Sequence, residues 1–414
     1  MSAPGELRDP RLPLPIRLLN RIGDPFRGRI SLAPEALLER ARRQTGLTDF
    51  GDEWFRKPFE ILCRSLDDEA NLHLFGRLLV RAQLQDALIR RLRVEALLKQ
   101  RPEILESPVE GPIVILGLPR TGTTALQRVL ARDPGLRSLP YWEALQPMPP
   151  GDVLEQPAET APRIRNAQRA LRFVHWVAPL MRSMHELEAE EPDEEVWLLG
   201  MDFATMLPEA TWNVPSFGRW YQAADLRHGY RYLRKMLQIL SWYRAGERWL
   251  LKSPQHLEQI PILAEVFPRA VFVQTHRDPL KVTASFASML SYSRRNSERH
   301  PDPVAIGAYW SDRIEAMLRR GAEDRPPDVA DRFVDVQFGE LNRDPIGVVR
   351  RIYDVADREL TPVAEAAMRD FLTANPRGKH GAHTYRLEDF GLDPAERRRA
   401  LAFYCERFGV PSEG

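Results

Sequence analysis

The 414-residue chain has only two cysteines, Cys63 and Cys405, too few for a disulfide framework or a cysteine-based zinc site. Its nine histidines are scattered and none forms the H-E-x-x-H spacing that presents two rings to one metal, so no metal is expected. No stretch approaches the roughly 20 apolar residues of a membrane span. The first residues lack the charged start and apolar run of a signal peptide. Neither sign of charge dominates: 59 Lys and Arg face 58 Asp and Glu, a formal charge of +1, which gives no general reason to expect nucleic acid. Internal repeats and low-complexity segments are also lacking. The expectation is a cytoplasmic chain, long enough for a substantial core in one or two domains.

One more absence is local. Residues 113–124 read Ile-Val-Ile-Leu-Gly-Leu-Pro-Arg-Thr-Gly-Thr-Thr. The general nucleoside-triphosphate loop is G-x-x-x-x-G-K-[ST]. Gly117 and Gly122 hold its glycine places and Thr124 its hydroxyl place, but Thr123 stands where the lysine belongs. Backbone N–H groups and the positive end of the helix starting near Thr123 still suit a phosphate-like anion. Without the lysine that reaches terminal phosphates, a different phosphate ester is expected there. Arg120 is the one cation inside the loop.

Short apolar strands recur after this one. Trp249-Leu250-Leu251 ends at Lys252, Val271-Phe272-Val273 leads to Arg277, and Phe333-Val334-Asp335-Val336 leads to Phe338. Strands alternating with helices predict an α/β fold with a parallel sheet covered on both faces. Each candidate residue sits just past the carboxyl end of its strand, where ligands bind in open α/β sheets. Before the first strand, residues 1–106 read as amphipathic helices, with Leu37, Leu38, Ala41, Leu84 and Leu88 at helical spacing. Within them, residues 13–20 suit packing on the chain's own core, with contact to a membrane surface or partner as the alternative. Between the first two apolar strands, residues 145–245 are rich in Trp and Tyr, most of which read as core.

Residues 270–289 contain a buried strand, then Arg277-Asp278-Pro279, then a helix with Ser285 eight residues after the arginine. Loop and arginine–serine pair, about 150 residues apart, together resemble the 5′-phosphosulfate loop and 3′-phosphate signature of sulfotransferases that use 3′-phosphoadenosine-5′-phosphosulfate (PAPS). The resemblance covers about residues 108–390 in scattered blocks. It implies a P-loop-like sulfotransferase fold with a central parallel sheet flanked by helices. Residues 1–106 are then a helical N-terminal extension, 107–414 the sulfotransferase domain, and 145–245 a helical insertion forming the acceptor pocket.

Site roles follow from the same resemblance. Arg120, Thr121, Gly122, Thr123 and Thr124 would hold the 5′-phosphosulfate. Lys252-Ser253-Pro254 is similar to a Lys-x-Pro stretch of tyrosylprotein sulfotransferases whose lysine stabilises the bridging oxygen; an ordinary surface lysine is the alternative. Arg277 and Ser285 would bind the 3′-phosphate that distinguishes the donor from ATP, Arg277 being otherwise a partner of Asp278. Phe338 stands near an adenine-packing aromatic that is commonly tyrosine. Arg377 and Lys379, in Asn-Pro-Arg-Gly-Lys-His-Gly, resemble a closing Arg-Lys-Gly segment, with the order changed. For the general base, Glu143 lies two residues from the position of a family glutamate. His185, or one of the seven carboxylates in residues 186–195, is the rival, and His256 a third candidate. The expected reaction is in-line sulfuryl transfer to a hydroxyl of a small-molecule, lipid or glycan acceptor, releasing adenosine 3′,5′-bisphosphate. A small-molecule kinase and a non-catalytic nucleotide-binding module are the alternatives.

Overall fold

The computed structural model describes residues 12–149, 159–376 and 386–413; Arg377 and Lys379 lie outside the described residues. Five strands form one parallel sheet: β1 (Ile113–Leu116), β2 (Leu136–Ser138), β3 (Arg248–Lys252), β4 (Val271–His276) and β5 (Phe333–Gln337), in the order β2-β3-β1-β4-β5. Period-two alternation divides their apolar side chains between two cores. Ile113, Ile115, Leu250, Val271, Val273 and Val336 face the helix that follows the loop, through Leu126, Val129 and Leu130, and a helix over 345–355, through Val349 and Ile352. Val114, Leu116, Leu251 and Phe272 face the N-terminal helices and the insertion.

That second core is continuous from Leu32 to Val410, so the described helices before β1 and the described part of the insertion pack as one body with the sheet. Helix α1 (Leu14–Gly23) runs along the start of the long helix α2 (Leu74–Gln100). The buried guanidinium of Arg91 in α2 ties the two regions together. It donates to the Phe50 and Asp52 carbonyls at 2.7 and 2.9 Å and to Asp202 Oδ1 at 2.6 Å.

Strand β2 escaped the sequence reading. It has three residues with Arg137 at its centre, and as an edge strand it pairs only with β3. The four strands read from apolar runs are all present. The register Ile115↔Lys252 sets the end of β3 beside the end of β1, and Leu116↔Gln274 does the same for β4. Three strand ends thus converge on one edge. Among the described residues no helix is long and apolar enough to cross a membrane.

Candidate active site

The loop after β1 owes its shape to two glycines and one strained arginine. Gly117 has φ +144°, and a Cβ there would lie 2.5 Å from Thr275 Oγ1. Gly122 has φ +92° and is the N-cap of helix α3 (Thr123–Leu130), to which it brings no side-chain cap. The first-turn amides of α3 and its positive end are therefore left to an anion. Arg120 adopts φ +70°, a conformation that costs a non-glycine residue on the order of 1 kcal/mol. Its surroundings fix it there. Nε donates to Ser285 Oγ at 3.2 Å, Nη1 donates to the Met184 carbonyl at 2.7 Å, and its own carbonyl accepts Arg277 Nη1 at 2.9 Å. These bonds join the loop, the Arg-Asp-Pro segment and the insertion.

Thr121 turns away from that cradle. Its hydroxyl is buried, donating to the Leu118 carbonyl at 2.7 Å and lying 2.6 Å from Thr275 Oγ1, so it anchors the loop to β4. Thr123 and Thr124 do reach the cavity wall.

Lys252 is 1 % exposed, which excludes the surface-lysine alternative. Its Nζ donates to Glu194 Oε1 at 2.5 Å and reaches Thr124 Oγ1 at 3.5 Å, while its backbone N–H donates to Glu195 Oε2 at 2.9 Å. Asp193, Glu194 and Glu195 thus turn inward at the end of a run whose earlier members Glu186 and Glu191 pair with Arg128 and Arg132. Burial, with Glu194 nearby, pushes Asp193 up to about 6, and burial raises Glu195 well above the carboxylate range. His256, fully buried, lies 3.2 Å from Glu195 Oε2 and 2.9 Å from the Tyr230 hydroxyl, a brace behind the strand end with no place on the cavity wall.

Arg277 does not pair with Asp278, whose carboxylate is taken by Arg398 and the Glu413 N–H. Its Nε and Nη2 instead grip the two carboxylate oxygens of Glu413, each at 2.8 Å, and its guanidinium lies 4.0 Å from the centre of the Phe338 ring. A forked anion already occupies this arginine, in the geometry that a phosphate would use.

One cavity of about 500 Å³ collects most of these groups; Lys252 and Ser285 stand behind its wall, Lys252 touching the lining residues Thr124 and Glu194 and Ser285 touching Arg120. Arg120, Gly122, Thr123, Thr124, Arg277 and Phe338 line one part of it, with His185, Asp193 and Glu194 beside them. The rest is apolar. The insertion supplies Met181, Leu187, Val196, Trp197, Met206 and Leu207, and the helix carrying Ser285, α4 (Pro279–Arg294), supplies Phe286, Met289 and Leu290. Of the insertion's tryptophans and tyrosines only Trp197 lines it; Trp212, Tyr221, Tyr230, Tyr232 and Tyr243 are buried in the core. The apolar wall was thus missed as a set of methionines and leucines. The members on α4 were open to derivation, since 286, 289, 290 and 293 share the helical side next to 285. Glu413 gave no sequence signal.

His185 sits half-buried in this wall. Burial, aided by Lys252, Arg120 and Arg128, pushes its imidazole down to about 4 against the pull of Glu194, so the ring is neutral near pH 7. Glu143 is elsewhere. It is 1 % exposed, accepts Arg137 Nη2 on both oxygens at 2.9 and 2.8 Å and Arg244 Nη2 at 3.1 Å, and does not line the cavity. The expectation of a base at Glu143 needs correction for that reason: the arginine of the unforeseen strand β2 holds the carboxylate in a closed ion pair.

Comparison with known proteins identifies the family and the fold. A model of the sulfotransferase family matches residues 112–362. The chain is similar to the crystal structure of sulfotransferase STF9 from Mycobacterium avium, with a TM-score of 0.82 and 30 % identity over 92 % of this chain and 97 % of that one. Sulfotransferase STF1 from Mycobacterium tuberculosis H37Rv gives a TM-score of 0.78 and 30 % identity over 89 % and 98 % of the two chains. The omega-hydroxy-beta-dihydromenaquinone-9 sulfotransferase Stf3 of Mycobacterium bovis is 26 % identical over 267 residues, 59 % of this chain and 62 % of its own length. The chain thus spans less than two thirds of the length of that relative. With the family model matched over more than half of its residues, the chain belongs to the sulfotransferase family.

Proposed function

We propose that this chain transfers a sulfuryl group from PAPS to the hydroxyl of an apolar alcohol, small or lipid-like. The observation that carries this reading is the union, in one cavity, of a cationic anion cradle and a methionine- and leucine-rich wall. The cradle fits the donor: uncapped amides of α3 with Arg120 suit its 5′ end, and the Arg277 fork, now on the Glu413 carboxylate, suits a 3′-phosphate. Phe338 adds an aromatic wall, with the Arg277 guanidinium over one face. PAPS, when bound, supplies the sulfuryl group and a phosphate leaving group. The wall favours an apolar acceptor, and the Stf3 relative, named for a hydroxylated menaquinone, is consistent with one.

The chain's own groups divide the remaining work. Arg120 and the loop amides orient the anion for in-line attack, where positioning and charge stabilisation provide most of the rate. Lys252, an ammonium held dry between Glu194 and Thr124, stabilises negative charge developing on the leaving oxygen. His185 receives the acceptor proton at an imidazole nitrogen. Its neutrality keeps a lone pair available, and an anionic donor nearby raises its basicity. Glu194 holds Lys252 in place.

A panel of hydroxyl acceptors with radiolabelled PAPS tests this. Long-chain and prenyl-type alcohols should accept label at least tenfold better per kcat/KM than sugars of similar size, since about 1.4 kcal/mol of apolar burial gives that factor. Labelling of sugars alone would contradict the reading, as would phosphate transfer from ATP–magnesium without sulfate transfer.

A further inference from the structure

Helix α1 is attached by one side only. Ile16 is buried, Asn20 Oδ1 accepts the Phe75 N–H at 2.9 Å, and Asp24, just past the helix, accepts the Leu74 N–H at 3.2 Å. The opposite side carries Leu14, Leu18 and Ile22 at four-residue spacing, flanked by Leu19 and Phe26, all between 41 and 72 % exposed. A second exposed apolar edge meets it. Phe75 contacts Phe173 at 6.2 Å between ring centres, and Phe173 contacts Trp176 at 5.8 Å; both Phe173 and Trp176 are more than 40 % exposed. Among the described residues only Leu105, Val304 and Val363 are comparably exposed large apolar side chains elsewhere. Clustering of this kind marks an interaction surface.

Charge identifies the occupant. Residues 12–30 hold Arg17, Arg21, Arg27 and Arg29 against the single acid Asp24, which is itself paired with Arg299 at 2.5 Å. Arg17 and Arg21 also line a cleft of about 420 Å³ with Arg295, Arg299 and His300, four arginines and a histidine against the acids Asp24 and Glu298. A second copy of the chain would bring one arginine-rich face against another, as a two-fold contact pairs each patch with itself. An anionic bilayer satisfies both features at once: acyl chains accept the leucine stripe, headgroups accept the arginines, and tryptophan belongs at that boundary. In sequence, Trp176 of the aromatic edge precedes Met181 of the cavity wall by five residues.

We propose that α1 and the Phe173–Trp176 edge form a docking surface for an anionic lipid bilayer. Leu14, Leu18 and Ile22 enter the acyl boundary, and Arg17, Arg21 and the cleft lie at headgroup level.

Co-sedimentation of the full chain with sucrose-loaded vesicles tests this, using phosphatidylcholine alone or mixed with phosphatidylglycerol. The mixed vesicles should bind at least about tenfold more strongly, with binding weakened by salt. Leu18→Glu with Ile22→Glu should lose at least about tenfold, and Arg17→Gln with Arg21→Gln several-fold. Both variants alter exposed side chains, and unchanged thermal melting will show that they fold. No preference for the anionic vesicles, or undiminished binding by the leucine–isoleucine variant, would overturn the proposal. So would a dimer in sedimentation velocity that the same variant abolishes, if vesicles are not bound.

Discussion

In the anion-binding part of the cavity the cations and Phe338 sit on or just beyond the ends of parallel strands, whereas the apolar part is built from helices and connecting loops with no strand among them. Lys252 is the last residue of β3, Arg277 follows β4, Phe338 follows β5, and the Arg120 loop follows β1. Hydrogen-bonded register fixes these ends relative to one another, so charges can be held in advance of the reaction. Across from them, methionines and leucines on α4, on short helices and on the loops between them make contacts without directional demand. A rigid polar half and an adaptable apolar half suit an enzyme with one donor and a variable acceptor.

Substitutions should separate the halves. The largest loss is expected at Lys252→Ala, which should lower kcat by roughly 100- to 1,000-fold in steady-state assays, the scale for removing a preorganised charge donor. Activity within tenfold of the parent would remove Lys252 from the mechanism. Next comes His185→Asn, expected to cost about 100-fold or more. The working form of His185 is neutral. In the parent, kcat/KM should therefore rise through about pH 4 and then level off, and the variant should lack that limb.

Glu143→Gln divides structure from chemistry. Leaving Arg137 buried without its full counter-charge should cost about 3–5 kcal/mol in denaturant unfolding. Turnover of the folded fraction should remain within a few-fold, and a 100-fold loss would return Glu143 to the site. In the apolar half, Met206→Ala should raise KM for an apolar acceptor about tenfold, with nucleotide binding unchanged, the scale for trimming a hydrophobic pocket. A larger effect on kcat than on KM would show that this wall, too, is rigid.

The same contrast explains what could be read from residues alone. A loop or strand-end residue is set by a few neighbours in sequence, so β1, β3, β4 and β5 and the candidates Arg120, Lys252 and Arg277 stood out. Residues that meet only in three dimensions did not. Strand β2 hides behind Arg137, whose polarity breaks the apolar run, yet that arginine decides the fate of Glu143. For the acidic run the residues left open which member, if any, faces the site; its last three turn inward because Lys252, His256 and Trp197 receive them. Thr121, a cradle ligand by position, proved to be a buried anchor to β4.

The most direct test of the central claim is a calorimetric titration with adenosine 3′,5′-bisphosphate beside ATP–magnesium. The account predicts tight binding of the bisphosphate, lost by about tenfold or more in Arg277→Ala, where a bidentate charged contact disappears. Binding should tighten several-fold in Glu413→Gln, which weakens the carboxylate competing for the same guanidinium. Binding of ATP–magnesium alone, or bisphosphate binding indifferent to Arg277, would contradict it.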